Sequence, residues 1–341
     1  MKIGINTTAI DDGPSGARSR LEGLTNALLR CAGEIEIVLY LPEGAKRPIL
    51  PAGRDVKHVI TPFRSDRPLD RLFGAGAWKE RLPGDRLAAF LTDYYPVVPG
   101  VRTFVTVHDV RYLDGWSGFA RKLYFRRRMP KLLAQAAGVI APSRWVAKRV
   151  VEELGVGEGS VHVIPNAPDS LTFRPEGGRE VRDAPYLVRI GPAEPRKNLG
   201  ALVEIHRDVV TIGRRPQPTS RPFVATGPLP RARVAEHVRG AVALVEPSKH
   251  EGFGLTVIEA MAAGCPVIAA RAGALPEVTA GAALLVDPDD PSAWQEAVER
   301  VELEPGLREG LAEEGIRRAA ELTWDAAAVA LADVIRPGSD A

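Results

Sequence analysis

Ala241-Val-Ala-Leu-Val245-Glu-Pro-Ser-Lys-His250-Glu251-Gly-Phe-Gly254-Leu-Thr-Val-Ile-Glu259-Ala-Met-Ala-Ala-Gly264-Cys-Pro266-Val-Ile-Ala-Ala270 carries the reading of the whole chain. It begins and ends on short apolar runs, Ala241–Val245 and Pro266–Ala270, each the length of a buried strand. Between them lies a loop with Gly252 and Gly254, then an apolar helical pattern over Thr256–Ala263 closed by Gly264. Two strands joined through a helix are parallel neighbours, because the helix returns the chain to the end where the next strand starts. The stretch therefore predicts a parallel sheet covered by helices.

The same alternation extends in both directions. Upstream, strands are predicted at Lys2–Ile10, Glu36–Leu41, Val56–Ile60, Leu87–Leu91, Thr103–Val107, Gly138–Ala141 and Val161–Ile164, with helices such as Arg18–Cys31 and Arg144–Leu154 between them. Pro165–Gly178, rich in proline and ending on Gly177-Gly178, reads as a linker. Beyond it come strands at Tyr186–Ile190, Phe223–Thr226 and Ala283–Val286, and helices over Leu199–Thr211, Arg231–Arg239, Ala293–Val301 and Leu307–Leu322. The pattern gives two doubly wound α/β domains, 1–170 and 171–324, and a tail of 325–341.

Composition agrees. A chain of 341 residues suits two domains, and 45% apolar with 26% charged residues excludes a disordered protein. The longest stretch without Asp, Glu, Lys or Arg is Leu132–Ser143, 12 residues, against about 20 for a membrane-spanning helix. Met1-Lys2-Ile3-Gly4-Ile5-Asn6 has no apolar signal-peptide core, so a cytoplasmic protein is expected. Cys31 and Cys265 are too few for a disulfide framework or a zinc cluster and read as reduced thiols.

The net charge of +2 conceals an imbalance: residues 101–150 hold 11 Lys/Arg against 2 Asp/Glu, and residues 251–341 hold 6 against 17. The densest basic piece, Phe119–Lys131, reads as a helix with Leu123, Tyr124 and Phe125 turned inward and its cations solvated. A second reading is peripheral contact with anionic lipid headgroups or with an acidic acceptor. No recognition motif accompanies the charge, so nucleic acid is not expected as a partner.

In doubly wound sheets ligands bind beyond the carboxyl ends of the strands, which directs attention to four loops. After Ala241–Val245, the amides of Gly254, Leu255 and Thr256 open a helix, where phosphate oxygens are favoured. Glu251 and Glu259, in the loop and inside the helix, offer carboxylates suited to sugar hydroxyls. After Tyr186–Ile190, Arg196 and Lys197 in Gly191-Pro-Ala-Glu-Pro-Arg-Lys-Asn198 can clamp a diphosphate. Asp11-Asp-Gly13-Pro-Ser-Gly16 follows the first strand without a P-loop ending or a dinucleotide fingerprint. His108-Asp109 ends the strand Thr103–Val107.

Together these blocks resemble the retaining nucleotide-sugar glycosyltransferases of glycosyltransferase family 4, from the first strand to about Trp324. Glu251–Glu259 is similar to the family's paired-glutamate motif, Glu194–Leu199 to its phosphate-clamping loop, and Val107-His108-Asp109 to its N-terminal strand-end motif. Ala141-Pro-Ser143 and Val163-Ile-Pro-Asn166 match further landmarks. The resemblance implies the GT-B fold, two Rossmann-like domains facing across a cleft, with the acceptor on the N-terminal domain and the donor on the C-terminal one. It also implies a last helix near Thr323–Ile335 that packs back toward the N-terminal domain.

By the same resemblance, Arg196 and Lys197 neutralise the diphosphate of a UDP- or GDP-linked sugar. Gly254, Leu255 and Thr256 bind through backbone amides, Glu251 contacts the transferred sugar, and Glu259 contacts the ribose. His108 lies beside the donor sugar, and Gly16 brings its backbone to the diphosphate. No metal or other cofactor is expected, and the acceptor is a glycolipid, a polysaccharide or a secondary metabolite. Front-face attack is implied, the leaving phosphate helping to deprotonate the acceptor.

The sequence departs from the family pattern at four places. Pro192 stands where many members carry Arg or Thr, the N-terminal glycines are spread into Gly13-Pro-Ser-Gly16, and Asn166-Ala167 replaces Asn-Gly. The stretch between Thr226-Gly227 and Pro247-Ser248 reads as trimmed near the nucleotide base. Other readings stay open: an epimerase or phosphorylase of the same fold, or a non-catalytic nucleotide-sugar-binding protein. A nicotinamide dehydrogenase is disfavoured by the missing fingerprint.

Overall fold

A computed structural model describes residues 1–8, 15–31, 35–44, 56–61, 78, 82–93, 96–116, 118–213, 220–336 and 338. The chain divides into two compact units, Met1–Asn166 with the chain from Trp324 onward, and Ala167–Thr323.

The first unit contains strands β1 (Lys2–Asn6), β2 (Glu36–Pro42), β3 (Lys57–Thr61), β4 (Ala89–Asp93), β5 (Thr103–Thr106), β6 (Gly138–Ala141) and β7 (Val161–Val163). They pair in parallel in the order β3-β2-β1-β4-β5-β6-β7. The strand order reverses between β1 and β4, so the ligand-binding crevice of such a sheet is expected beyond those two strand ends.

Helices α1 (Gly16–Cys31), α2 (Phe119–Leu133) and α3 (Arg144–Leu154) belong to this unit. The start and stop of α3 are written locally. Ser143 Oγ accepts from the Val146 amide at 3.1 Å, and Gly155, at φ +65°, closes the helix by donating to the Val151 carbonyl. Val146, Val150 and Leu154, four residues apart, form its buried stripe.

Helix α2 corrects one expectation. Leu123 is exposed; Phe125, Met129 and Leu133 face inward, and Phe125 stacks on Tyr112 with ring centroids 4.3 Å apart. Successive helical residues point about 100° apart, so a run of three apolar neighbours cannot share one face, whereas a spacing of four can.

The second unit has β8 (Tyr186–Ile190), β9 (Asp208–Ile212), β10 (Phe223–Gly227), β11 (Leu244–Glu246), β12 (Val267–Ala270) and β13 (Leu284–Val286), parallel in the order β10-β9-β8-β11-β12-β13. Its helices are α4 (Arg231–Gly240), α5 (Leu255–Ala262), α6 (Leu275–Thr279), α7 (Pro291–Leu303) and α8 (Leu307–Glu321).

The helix expected over Leu199–Thr211 is not formed. A single 3-10 turn at Leu199–Leu202 is followed by β9, whose Val209, Val210, Thr211 and Ile212 are all buried. Four β-branched residues in succession favour an extended chain with both faces covered over a helix. Between Gly227 and Pro247 the chain forms α4 and leads into β11, a complete β-α-β step.

The last helix, α9 (Trp324–Ile335), packs on α1 in the first unit. It buries Ala327, Ala328, Leu331, Ala332 and Ile335, and its small residues let the two helices approach closely. Gly23 of α1 lies under the Trp324 ring, where a Cβ would sit 2.3 Å from the indole. Arg30 pairs with Asp325 at 2.5 Å, and Arg102 donates to the Ile335 carbonyl at 3.0 Å, satisfying one of the open carbonyls at the helix end.

Candidate active site

Strands β8 and β11 are neighbours, so the loops that follow them emerge side by side. The Lys249 amide donates to the Arg196 carbonyl at 2.9 Å, stitching the two sequence blocks together. The first loop leaves β8 through Gly191 (φ +114°) and makes a 3-10 turn at Pro195–Lys197. Asn198 then adopts the left-handed conformation at φ +50°, one that Asn tolerates better than most residues, and its side chain donates to the Pro288 carbonyl at 2.6 Å.

This fold places Arg196, Lys197 and Glu251 in contact. Lys197 Nζ lies 2.6 Å from Glu251 Oε1 and 3.2 Å from Glu246 Oε2; Arg196 Nη1 lies 3.2 Å from the same Glu251 oxygen. Arg196 also pairs with Glu194 at 2.8 Å and donates to the His250 carbonyl at 3.2 Å. Burial alone would push the Glu251 carboxyl up, but Lys197 and Arg196 overcome that and hold it down at about 2. Glu251 is thus a carboxylate, and it occupies both cations.

Two residues that the sequence reading passed over complete the cluster. Glu246, 1% exposed, accepts from Lys197, from the Ser248 hydroxyl and from Thr256 Oγ1. Arg189, fully buried, donates to the carbonyls of Gly191 and Pro192 and so holds the turn that carries Pro192. Each is a charge inside an apolar strand run, Tyr-Leu-Val-Arg189-Ile and Ala-Leu-Val-Glu246. A buried charge needs a partner, and that was the available signal.

Helix α5 opens beside this cluster. Gly254 stands at φ +93°, and a Cβ there would lie 2.7 Å from a Leu275 methyl, so both conformation and space require glycine. The amides of Leu255 and Thr256 begin the helix and, as at every helix start, have no intrahelical acceptor. Gly273, at φ +60°, approaches the Glu251 backbone so closely that a Cβ would sit 2.8 Å from its N and O. The Ala274 amide donates to the Glu251 carbonyl at 2.9 Å, fixing that residue from the other side.

Glu259 is buried further along α5 and pairs with Arg231 at 2.7 Å. Arg231 also reaches Asp169 at 3.4 Å and lies over the Phe173 ring, 4.9 Å from its centroid. Burial pushes the Glu259 carboxyl up, and Arg231 offsets this only in part. The Arg231 contact takes one carboxylate oxygen, Oε1.

In the first unit, His108 follows β5 with Nε2 3.1 Å from Asp93 Oδ2 at the end of β4. Gly16 begins α1, and a Cβ on it would meet nothing within 4 Å among the described residues. Asp11–Pro14 of that loop lie outside the described residues. Gly16 and His108 therefore belong to one unit, and Arg196, Lys197, Glu251, Gly254, Leu255, Thr256 and Glu259 to the other. Among the described residues no group of three or more His, Cys, Asp or Glu is arranged to hold a metal ion.

Two doubly wound parallel sheets, one of them carrying paired cations and a glycine-opened helix start at adjacent strand ends, define an α/β protein of Rossmann-like units. The family model "Glycosyltransferase Family 4" matches residues 14–170, and "Glycosyl transferases group 1" matches residues 223–318. The chain belongs to the group 1 glycosyltransferases, in glycosyltransferase family 4.

It is 28% identical over 219 residues to the O-antigen chain mannosyltransferase RfbU of Salmonella typhimurium, a match that covers 59% of this chain and 61% of that one. The chain thus spans less than two thirds of that relative's length. Among solved structures it is similar to sucrose-phosphate synthase from Thermosynechococcus elongatus, with TM-score 0.79 and 19% identity over 97% of both chains. It is also similar to Anabaena HepE in complex with UDP and glucose, with TM-score 0.71 and 13% identity over 98% of both. These two likenesses establish the GT-B fold.

Proposed function

We propose that this chain is a retaining glycosyltransferase that moves a sugar from a UDP- or GDP-linked donor to a hydroxyl of a glycolipid, polysaccharide or secondary-metabolite acceptor. The observation that carries the reading is the contact of Lys197 and Arg196 with Glu251 beside the start of α5. A solved structure of the same fold is described as a complex with UDP and glucose, which supports a nucleotide-sugar donor.

In the reaction, the bond between the anomeric carbon and the diphosphate oxygen breaks while a bond from that carbon to the acceptor oxygen forms. Negative charge builds on the leaving phosphate, and the proton of the acceptor hydroxyl passes to it. Arg196, Lys197 and the amides of Leu255 and Thr256 are fixed donors where that charge grows, so little reorganisation is needed as it develops. On this reading no metal is required. Glu251, released from the cations by the incoming diphosphate, turns to the hydroxyls of the transferred sugar. The remaining Glu259 oxygen takes a ribose hydroxyl, and His108, braced by Asp93, lies beside the donor sugar.

We place the reaction in the cytoplasm, with the acceptor on the first unit. Peripheral contact with an anionic membrane is offered by α2, where Arg126, Arg127, Arg128 and Lys131 are exposed.

A thermal-shift panel of UDP, GDP, dTDP, ADP and NAD, with and without EDTA, tests the reading. A ligand that binds only the folded chain stabilises it by about 2.7 kcal/mol at 100-fold excess over Kd. One diphosphate is expected to stand out regardless of EDTA; no shift with any of them would overturn donor binding.

A further inference from the structure

The second unit buries a carboxylate too deep for a ligand to touch. Glu246, the last residue of β11, is 1% exposed, and among the described residues its one ion-pair partner is Lys197, at 3.2 Å. Hydroxyls hold it from two further sides: Ser248 donates to Oε1, and Thr256 to Oε2 at 3.4 Å. Arg189, on the neighbouring strand β8, spends both terminal nitrogens on the Gly191 and Pro192 carbonyls, and its Nε is buried without a partner. It attracts Glu246 across the two strands without pairing with it.

Lys197 therefore stands between two carboxylates of unequal freedom. Glu251 lies in the loop before α5 and has a second cation, Arg196, at 3.2 Å, so a diphosphate can take its place. Glu246 closes a strand, is tied by two hydroxyls, and depends on Lys197 alone for a cation in contact. Removing that cation would leave a buried charge unpaired, which costs far more than losing a contact in water. A bound diphosphate thus displaces Glu251 but shares Lys197 with Glu246. The shared amine is pinned in place, and the fixed negative charge behind it weakens its hold on the phosphates.

We propose that Glu246 is a positioning residue that fixes Lys197 at the phosphate site and sets how fast the nucleoside diphosphate left by transfer departs. The inference rests on the reading of Arg196 and Lys197 as a diphosphate clamp. Glu251 acts on the empty clamp and Glu246 on the occupied one. Neutralising Glu251 therefore acts mainly on association, and neutralising Glu246 mainly on dissociation.

Calorimetry and surface plasmon resonance on the full chain, with UDP, GDP and inorganic pyrophosphate as probes, test this. Glu246→Gln keeps the side-chain shape and an acceptor for Lys197. It is expected to tighten every probe that the wild-type chain binds roughly tenfold, less than the full effect of a unit charge because Lys197 lies between, and to do so through slower dissociation. A purely structural role would loosen binding, since damage to the cluster cannot tighten it. Should the glutamine variant melt early, Ser248→Ala decides in the Glu251→Gln background, where the other carboxyl that Ser248 faces is already neutral. There Oε1 of Glu246, freed of its hydroxyl, competes harder for Lys197, and diphosphate binding is expected to weaken about threefold. Unchanged or weaker binding by a folded Glu246→Gln chain, tightening seen in association alone, or no effect of Ser248→Ala would overturn the proposal and leave the clamp standing. No binding of any probe by wild type or variants would overturn the clamp itself, and the proposal with it.

Discussion

Replacing Glu251 with glutamine should tighten nucleoside-diphosphate binding while abolishing transfer. In the unliganded chain, Glu251 Oε1 is 2.6 Å from Lys197 and 3.2 Å from Arg196, where a diphosphate would have to compete with it. A unit charge held roughly 5 Å from the phosphates costs about 3 kcal/mol at an effective dielectric of about 20. The Glu251 side chain is 14% exposed, and rearrangement on binding relieves part of the repulsion, leaving about 1–2 kcal/mol, or roughly five- to thirtyfold in Kd. Glu251→Gln removes that charge and leaves Lys197 its second partner, Glu246, so the cluster stays ordered.

The same pairing sets an acid limit. The folded carboxyl is depressed to about 2 from 4.5, so its contribution, on the order of 3 kcal/mol, is complete above pH 4.5 and is lost as the pH falls toward 2. Calorimetric titration of UDP and GDP into both proteins, with melting followed from pH 7 to pH 2, reads both effects. Equal or weaker diphosphate binding by the variant would show that Glu251 does not compete for the cations, and the charge argument for this site would fall.

Arg231→Met leaves the Glu259 carboxylate buried with no cation at 2.7 Å; ribonucleoside-diphosphate affinity should fall about tenfold, with partial recovery in Arg231→Lys, by calorimetry. Gly254→Ala forces a side chain into φ +93° and to 2.7 Å from Leu275, so denaturant melts should show a loss of about 2–3 kcal/mol; an unchanged midpoint would contradict the geometry. On α2, Leu123→Ser should alter stability by less than about 0.5 kcal/mol, whereas Phe125→Ala, which removes the stack on Tyr112, should cost about 2 kcal/mol or more. If α2 meets anionic lipid, charge-neutral substitution of Arg126, Arg127 and Arg128 should abolish co-sedimentation with phosphatidylglycerol vesicles; retention on the vesicles would remove that contact.

The fold was legible because its signals are local. Alternating strands and helices, the Ser143 and Gly155 boundaries of α3, and glycine at position 254 all depend on neighbours within a few residues. Where local signals conflicted, the packed sheet decided. Leu199–Thr211 has a helical run of apolar residues in front of Val209-Val-Thr-Ile212, and the place beside β8 was filled by those β-branched residues as β9.

The sequence by itself determined the doubly wound architecture, the family, and which residues follow the strand ends in the loops and helix that matter: Arg196, Lys197, Glu251, Glu259 and His108. It could not determine their partners. Lys197 meets Glu251 and Glu246 because β8 and β11 are adjacent in the sheet, a choice made by long-range pairing and not by any spacing in the chain. Arg231 reaches Glu259, Asp93 reaches His108, and α9 returns to α1 for the same reason. Periodicity fixes which way a side chain faces; only the three-dimensional packing decides what it faces.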